Sequence, residues 1–89
     1  MAWIEFAPHL AHRVGDLAAE VPGATLREAL TAAFAERPDA RGYVLDDQGR
    51  LRKHVVVFID GHQLVDRVGL TDPIGPTARL FVAQALSGG

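Results

Sequence analysis

Three groups of residues in this sequence could do chemistry, and the first is the final segment, Ser87-Gly88-Gly89. Two residues without side chains can thread a channel that any Cβ would block, and they adopt backbone angles closed to other residues. Four extended residues, Leu86 to Gly89, would carry a carboxylate roughly 13 Å past the preceding strand. That geometry suits a C-terminal carboxylate that is itself the reacting group; the plain alternative is a frayed end. The second group is His9 and His12, three apart, with Asp16. They follow Pro8 in a loop, and a closed metal site needs more ligands in a fixed array, so the reading is a solvated loop and no metal. The third is Asp46 and Asp47, a pair that could serve acid–base work. Beside Gln48-Gly49 they read instead as turn residues. No residue is assigned a catalytic role.

Composition narrows what such groups can serve. Eighty-nine residues make one domain with a single core. A net charge of −2 supplies no basic stripe for nucleic acid. No apolar run approaches the ~20 residues of a membrane span, and Met-Ala-Trp-Ile-Glu does not open a signal peptide. Cysteine is absent, which excludes disulfides, thiolate catalysis and cysteine-ligated zinc. A small cytoplasmic domain is expected. Lys53 is its one lysine among eight arginines, which limits any chemistry that needs an amine.

The elements that position these groups follow from periodicity. Ala2, Ile4 and Phe6 alternate with Trp3 and Glu5, the pattern of a strand with one buried face. Pro8 ends it, and a turn around Val14-Gly15-Asp16 leads to a second strand near Leu17 to Val21. After Pro22-Gly23, Thr25-Leu26-Arg27-Glu28 fits a capping box. Leu26, Ala29, Leu30, Ala33 and Phe34 then form one apolar helix stripe, which Arg37-Pro38 stops. Tyr43-Val44-Leu45 and Leu51 flank a turn at Asp46 to Gly49. His54 to Ile59 is a strand ending at the Asp60-Gly61 turn. Gly69, Pro73, Gly75 and Pro76 leave only short extended pieces before a last strand, Arg79 to Ala85. This order predicts an α+β domain, a mixed sheet with one main helix packed across it.

Alternation also assigns the two faces of that sheet. With Ile4, Phe6, Val55, Val57, Leu80 and Val82 turned to the helix, Trp3, Phe58 and Phe81 face the open side, with Ala83 in the same alternation. Three aromatics on one face exceed scattered surface exposure and predict a partner-binding surface. A covering loop, or a register shifted by one residue, would remove it.

The block Leu51-Arg52-Lys53-His54-Val55-Val56-Val57-Phe58-Ile59-Asp60-Gly61, the helix opening Ala24 to Leu30 and the ending Val82 to Gly89 resemble the MoaD/ThiS family of sulfur carriers. The likeness runs nearly end to end and is greatest to the longer, CysO-like branch. Phe58-Ile59-Asp60-Gly61-His62-Gln63-Leu64 is also similar to the corresponding turn of ubiquitin. Two features depart from the pattern. The family more often has Val-Ala before its two glycines, where this chain has Leu86-Ser87, and Val65 to Thr77 matches poorly.

The resemblance implies a β-grasp domain over residues 1–85 with a flexible tail, 86–89. It implies that Gly89 is adenylated at the expense of ATP by a ubiquitin-activating-type (MoeB/ThiF-like) adenylyltransferase. A sulfur donor then makes the thiocarboxylate, which serves a downstream sulfur-accepting enzyme. Leu86, Ser87 and Gly88 form the tail, and the open sheet face is where the activating enzyme docks. The chain has no phosphate-binding loop of its own, so it is expected to be a substrate and carrier, not an enzyme, binding no cofactor. The alternatives are a covalent protein modifier attached through Gly89, or a small subunit that inserts its tail into a partner such as molybdopterin synthase.

Overall fold

Ala2–Phe6 forms strand β1, with Ala2, Ile4 and Phe6 buried and Trp3 and Glu5 exposed, as period-two alternation requires. The computed structural model describes residues 1–8, 10, 18–35 and 37–84. Strand β2, Ala19–Val21, pairs antiparallel with β1, setting Ala2 opposite Val21. The turn expected at Val14-Gly15-Asp16 lies outside the described residues, as does Leu17.

Strand β3 is Val55–Ile59, β4 is His62–Gln63 and β5 is Arg79–Gln84. The sheet order is β2-β1-β5-β3-β4. The last strand therefore lies at the centre, parallel to β1 and antiparallel to β3. Register follows burial: Ile4 sits beside Leu80, Phe6 beside Val82, and Val57 opposite Val82. These residues fill the covered face. Asp60 and Gly61 have φ of 51° and 82°. Both central residues of a two-residue β3–β4 turn thus take the left-handed backbone that a primed hairpin turn demands. Asp-Gly is a sequence built for it.

Helix α1, Leu26–Ala35, packs on the covered face through Leu26, Ala29, Leu30 and Phe34. Ala33 is partly buried against the same core. The amides of Leu26, Arg27 and Glu28, which a helix start leaves without intrahelical partners, are all satisfied, and Ala29 closes the first intrahelical bond. Leu26 N–H donates to Asp72 O, Arg27 N–H to Leu70 O, and Ala29 N–H to Thr25 O. Thr25 Oγ1 accepts from Glu28 N–H at 3.3 Å, one half of the capping box. The Glu28 carboxylate accepts from Ala24 N–H at 2.8 Å, one residue earlier than the cap itself, because Thr25 is drawn into a β-bridge with Pro73. Gly23, at φ 136°, holds the approach to this cap; a Cβ there would lie 2.8 Å from Glu28 Cβ.

The structure adds a short helix to the expected main one. A second, α2, runs Pro38–Val44 with Pro38 in its first turn. Arg37-Pro38 does end α1, but proline also suits a first helical position, where its missing N–H costs nothing and its fixed φ is already helical. Tyr43 and Val44 therefore belong to a helix; the flank of the Asp46–Gly49 turn is the single bridge between Leu45 and Leu51. Ala40 and Val44 extend the core.

Leu64, Leu70 and Ile74 carry the core into the segment without long strands. Arg27 ties that segment down. Its Nε donates to Gly69 O, and one terminal nitrogen donates to Gly49 O and Val68 O. No buried polar side chain occurs among the described residues, and no helix there is long and apolar enough to cross a membrane.

Candidate functional site

The alternation that buries one side of β1, β3 and β5 turns the other side outward. Phe58 and Phe81 stand directly opposite each other on β3 and β5. Ala83 and Val56 form the next pair on that face. On the other flank Phe81 lies beside Glu5, two residues along β1 from Trp3. Trp3 is 36% exposed and Phe81 40%, while Phe58 and Ala83 are half-buried. The register expected from the sequence is the one observed, and it gathers Trp3, Phe58, Phe81 and Ala83 on the face opposite both helices.

Glu5 also occupies this face, a residue the sequence reading placed outward without giving it a part. Trp3 Nε1 donates to Glu5 Oε1 at 2.7 Å, which fixes the indole and one carboxylate oxygen together. The signal was available: outward alternation places i and i+2 of one strand on the same side. Such a surface has aromatic anchors and an oriented charge, the ingredients of a protein-docking face.

The other chemically suggestive groups have structural tasks. Asp46 Oδ1 accepts from the backbone N–H groups of Gln48 and Arg50, and Oδ2 takes Arg50 Nε at 2.9 Å. The Arg50 amide, chiefly, holds its pKa below the ordinary carboxylate value. It is a turn residue, and Asp47 lies in the same turn. Asp66 accepts from Thr71 Oγ1 at 2.6 Å and from the amides of Val68, Gly69 and Thr71. The Thr71 hydroxyl, then the Gly69 and Thr71 amides, lower its pKa to about 2. No group of three or more metal-ligating side chains occurs among the described residues. His9, His12 and Asp16 lie outside them, as do the tail residues Leu86, Ser87, Gly88 and Gly89 and the end of the last predicted strand, Ala85.

A five-stranded mixed sheet whose last strand inserts beside its first, with α1 and α2 packed on one face, matches solved structures along its whole length. Small archaeal modifier protein 1 from Haloferax volcanii is 25% identical, with a TM-score of 0.78, covering 99% of this chain and 98% of that one. The chain is a ubiquitin-like β-grasp protein. CysO from Mycobacterium tuberculosis superposes with a TM-score of 0.80 at 17% identity, over 97% of this chain and 100% of the other. A chain of the Amycolatopsis orientalis BexX/CysO complex matches at 21% identity and a TM-score of 0.77, covering 100% of both chains. These neighbours agree with the MoaD/ThiS-like character of the sequence motifs. No protein-family model matches the chain, and no curated protein does.

Proposed function

We propose that this ubiquitin-like chain is a sulfur carrier whose reacting group is the carboxylate of Gly89. The observation that carries the reading is the end-to-end match to both a CysO and a small archaeal modifier. It is joined by an aromatic sheet face on which a partner can dock. A carboxylate is a poor electrophile because its leaving group would be oxide. Coupling it to AMP, with release of pyrophosphate from ATP, replaces that leaving group by a phosphate. A sulfur nucleophile then attacks the carbonyl carbon, AMP departs, and a thiocarboxylate remains on Gly89 for a downstream sulfur-accepting enzyme. The adenylyltransferase, of the MoeB/ThiF-like kind, binds and consumes the ATP. This chain contributes the substrate carboxyl group and the surface by which it is recognised, and it works in the cytoplasm where ATP and the sulfur donor are.

The second reading, covalent attachment of Gly89 to a protein lysine, is favoured by the likeness to a modifier protein. One experiment separates the two. The protein isolated from its source cells is measured by intact mass, and a mature chain that does not end at Gly89 would refute both readings. The isolated protein is then incubated with the organism's adenylyltransferase, ATP and sulfide. The carrier reading expects an oxygen-to-sulfur mass exchange confined to the terminal peptide, and Gly88→Val should abolish it with the melting temperature unchanged. Conjugates to lysine with no thiocarboxylate under any donor would establish the modifier reading. A chain that is neither adenylated nor bound would refute both.

A further inference from the structure

The open face is not uniformly apolar. Its β3 and β5 side carries Val56, Phe58, Phe81 and Ala83, while its β1 and β2 side carries carboxylates. Glu5 lies beside Phe81, and Glu20 stands opposite Trp3 across the β1–β2 ladder. Trp3 is thus flanked by two acidic residues on strands at one side of an aromatic patch. The ion pairs among the described residues are Arg37–Asp39 and Arg50–Asp46, so neither Glu5 nor Glu20 pairs with a described residue. Arg79, beside Trp3 on β5, forms an ion pair with neither. The indole N–H occupies one oxygen of Glu5 and leaves the other without a hydrogen-bond partner among the described residues. A partner that covered Phe81 with apolar side chains alone would bury this carboxylate uncompensated, which is strongly unfavourable.

Resting on the reading that the activating enzyme docks on this face, we infer that Glu5 selects that enzyme through an arginine on its docking surface. A guanidinium fits better than an ammonium. It is planar and weakly hydrated, it stacks on the neighbouring Trp3 or Phe81 ring, and it can donate to the open oxygen of Glu5 in the same pose. Glu20 lies at the outer side of Trp3 and adds to the attraction at longer range.

The test is calorimetric binding of the full chain to the adenylyltransferase of its source organism, at low and at high salt. Glu5→Gln keeps an acceptor for the Trp3 indole and removes only the charge, and its exposed position leaves the fold intact. It should weaken binding on the order of tenfold or more at low salt, and it should flatten the salt dependence. Glu5→Arg should weaken binding further, and reversing the facing arginine of the enzyme to glutamate should restore it. Phe81→Arg is the control for the surface itself. If Phe81→Arg binds like the parent, the docking reading fails and this inference with it. If Phe81→Arg abolishes binding while Glu5→Gln binds with unchanged affinity and salt slope, the surface stands and the selecting role of Glu5 is overturned.

Discussion

Truncating Phe34 to alanine tests whether α1 carries the core. Phe34 is 4% exposed and its ring centroid lies 6.0 Å from that of Phe6 on β1, tilted by 49°. Removing the ring therefore takes away an aromatic contact between helix and sheet as well as buried area. Phenylalanine-to-alanine changes in cores cost about 3–5 kcal/mol. Here the lower end applies, because Phe34 lines an open groove of about 240 Å³ with Arg27, Thr31, Ala35, Pro38, Arg41 and Leu45. Water can enter the enlarged groove, so the change leaves less of a dry void. Against a total of about 4–13 kcal/mol for a chain of this length, a loss of about 3 kcal/mol is severe. It corresponds to a melting temperature lowered by roughly 12–24 °C at this domain size. Phe34→Leu keeps most of the volume and gives up the ring pair, so about 1–2 kcal/mol should go. Thermal and urea unfolding followed by circular dichroism measures both. An alanine variant that melts within a few degrees of the parent would refute the assignment of Phe34 to the core.

Four further outcomes follow from the same structure. Asp66 has its folded pKa lowered to about 2 from 3.8, so its contribution is complete above pH 4 and is lost as pH falls toward 2. Melting temperature should drop across that window, and Asp66→Asn should flatten the drop; an identical profile in the variant would contradict the assignment. Arg27→Met keeps the aliphatic stem but deletes three bonds to carbonyls, and should cost about 1–3 kcal/mol. It should also speed hydrogen exchange at Leu51, whose amide donates to Arg67 O; unchanged exchange there would show that Arg27 does not hold these segments together. Glu5→Gln should weaken adenylyltransferase binding in a salt-sensitive way, whereas Gly88→Val should block thiocarboxylate formation without changing stability.

Most of this architecture is legible because each strand repeats its signal. Period-two alternation gave the inward and outward sets of β1, β3 and β5 together, so a slip in one strand would have conflicted with the others. Asp60-Gly61 announced its turn because left-handed φ at two successive positions is costly for most residues. Helix α2 was not legible for the opposite reason. Pro38 fits an end and a beginning equally well, and seven residues carry too short an apolar period to decide between them. The core residues Leu64, Leu70 and Ile74 escaped pattern reading since no regular element holds them; Arg27 and the Ala24 carbonyl hold this segment through contacts distant in sequence, and Asp66 folds it locally through bonds to Val68, Gly69 and Thr71. Glu5 was seen as outward, but its bond to Trp3 depends on rotamers that periodicity does not encode.

The central place of β5 ties recognition to chemistry under the proposed function. Phe81 lies on this strand, and Gly89 is five residues beyond Gln84, a span of at most roughly 18 Å for an extended chain. An enzyme that covers Phe81 thereby fixes how far away its nucleotide site can be. Two glycines, however, offer a channel no side chain by which one tail could be told from another. Beyond Leu86 and Ser87, discrimination among chains that share these two glycines draws on the folded face, where the informative groups are the ones that alternate outward. Phe58 and Phe81 supply apolar area that many partners could cover. Glu5, oriented by Trp3 and lacking a cation among the described residues, is the group that makes a wrong partner unfavourable, since specificity needs a penalty as well as an attraction.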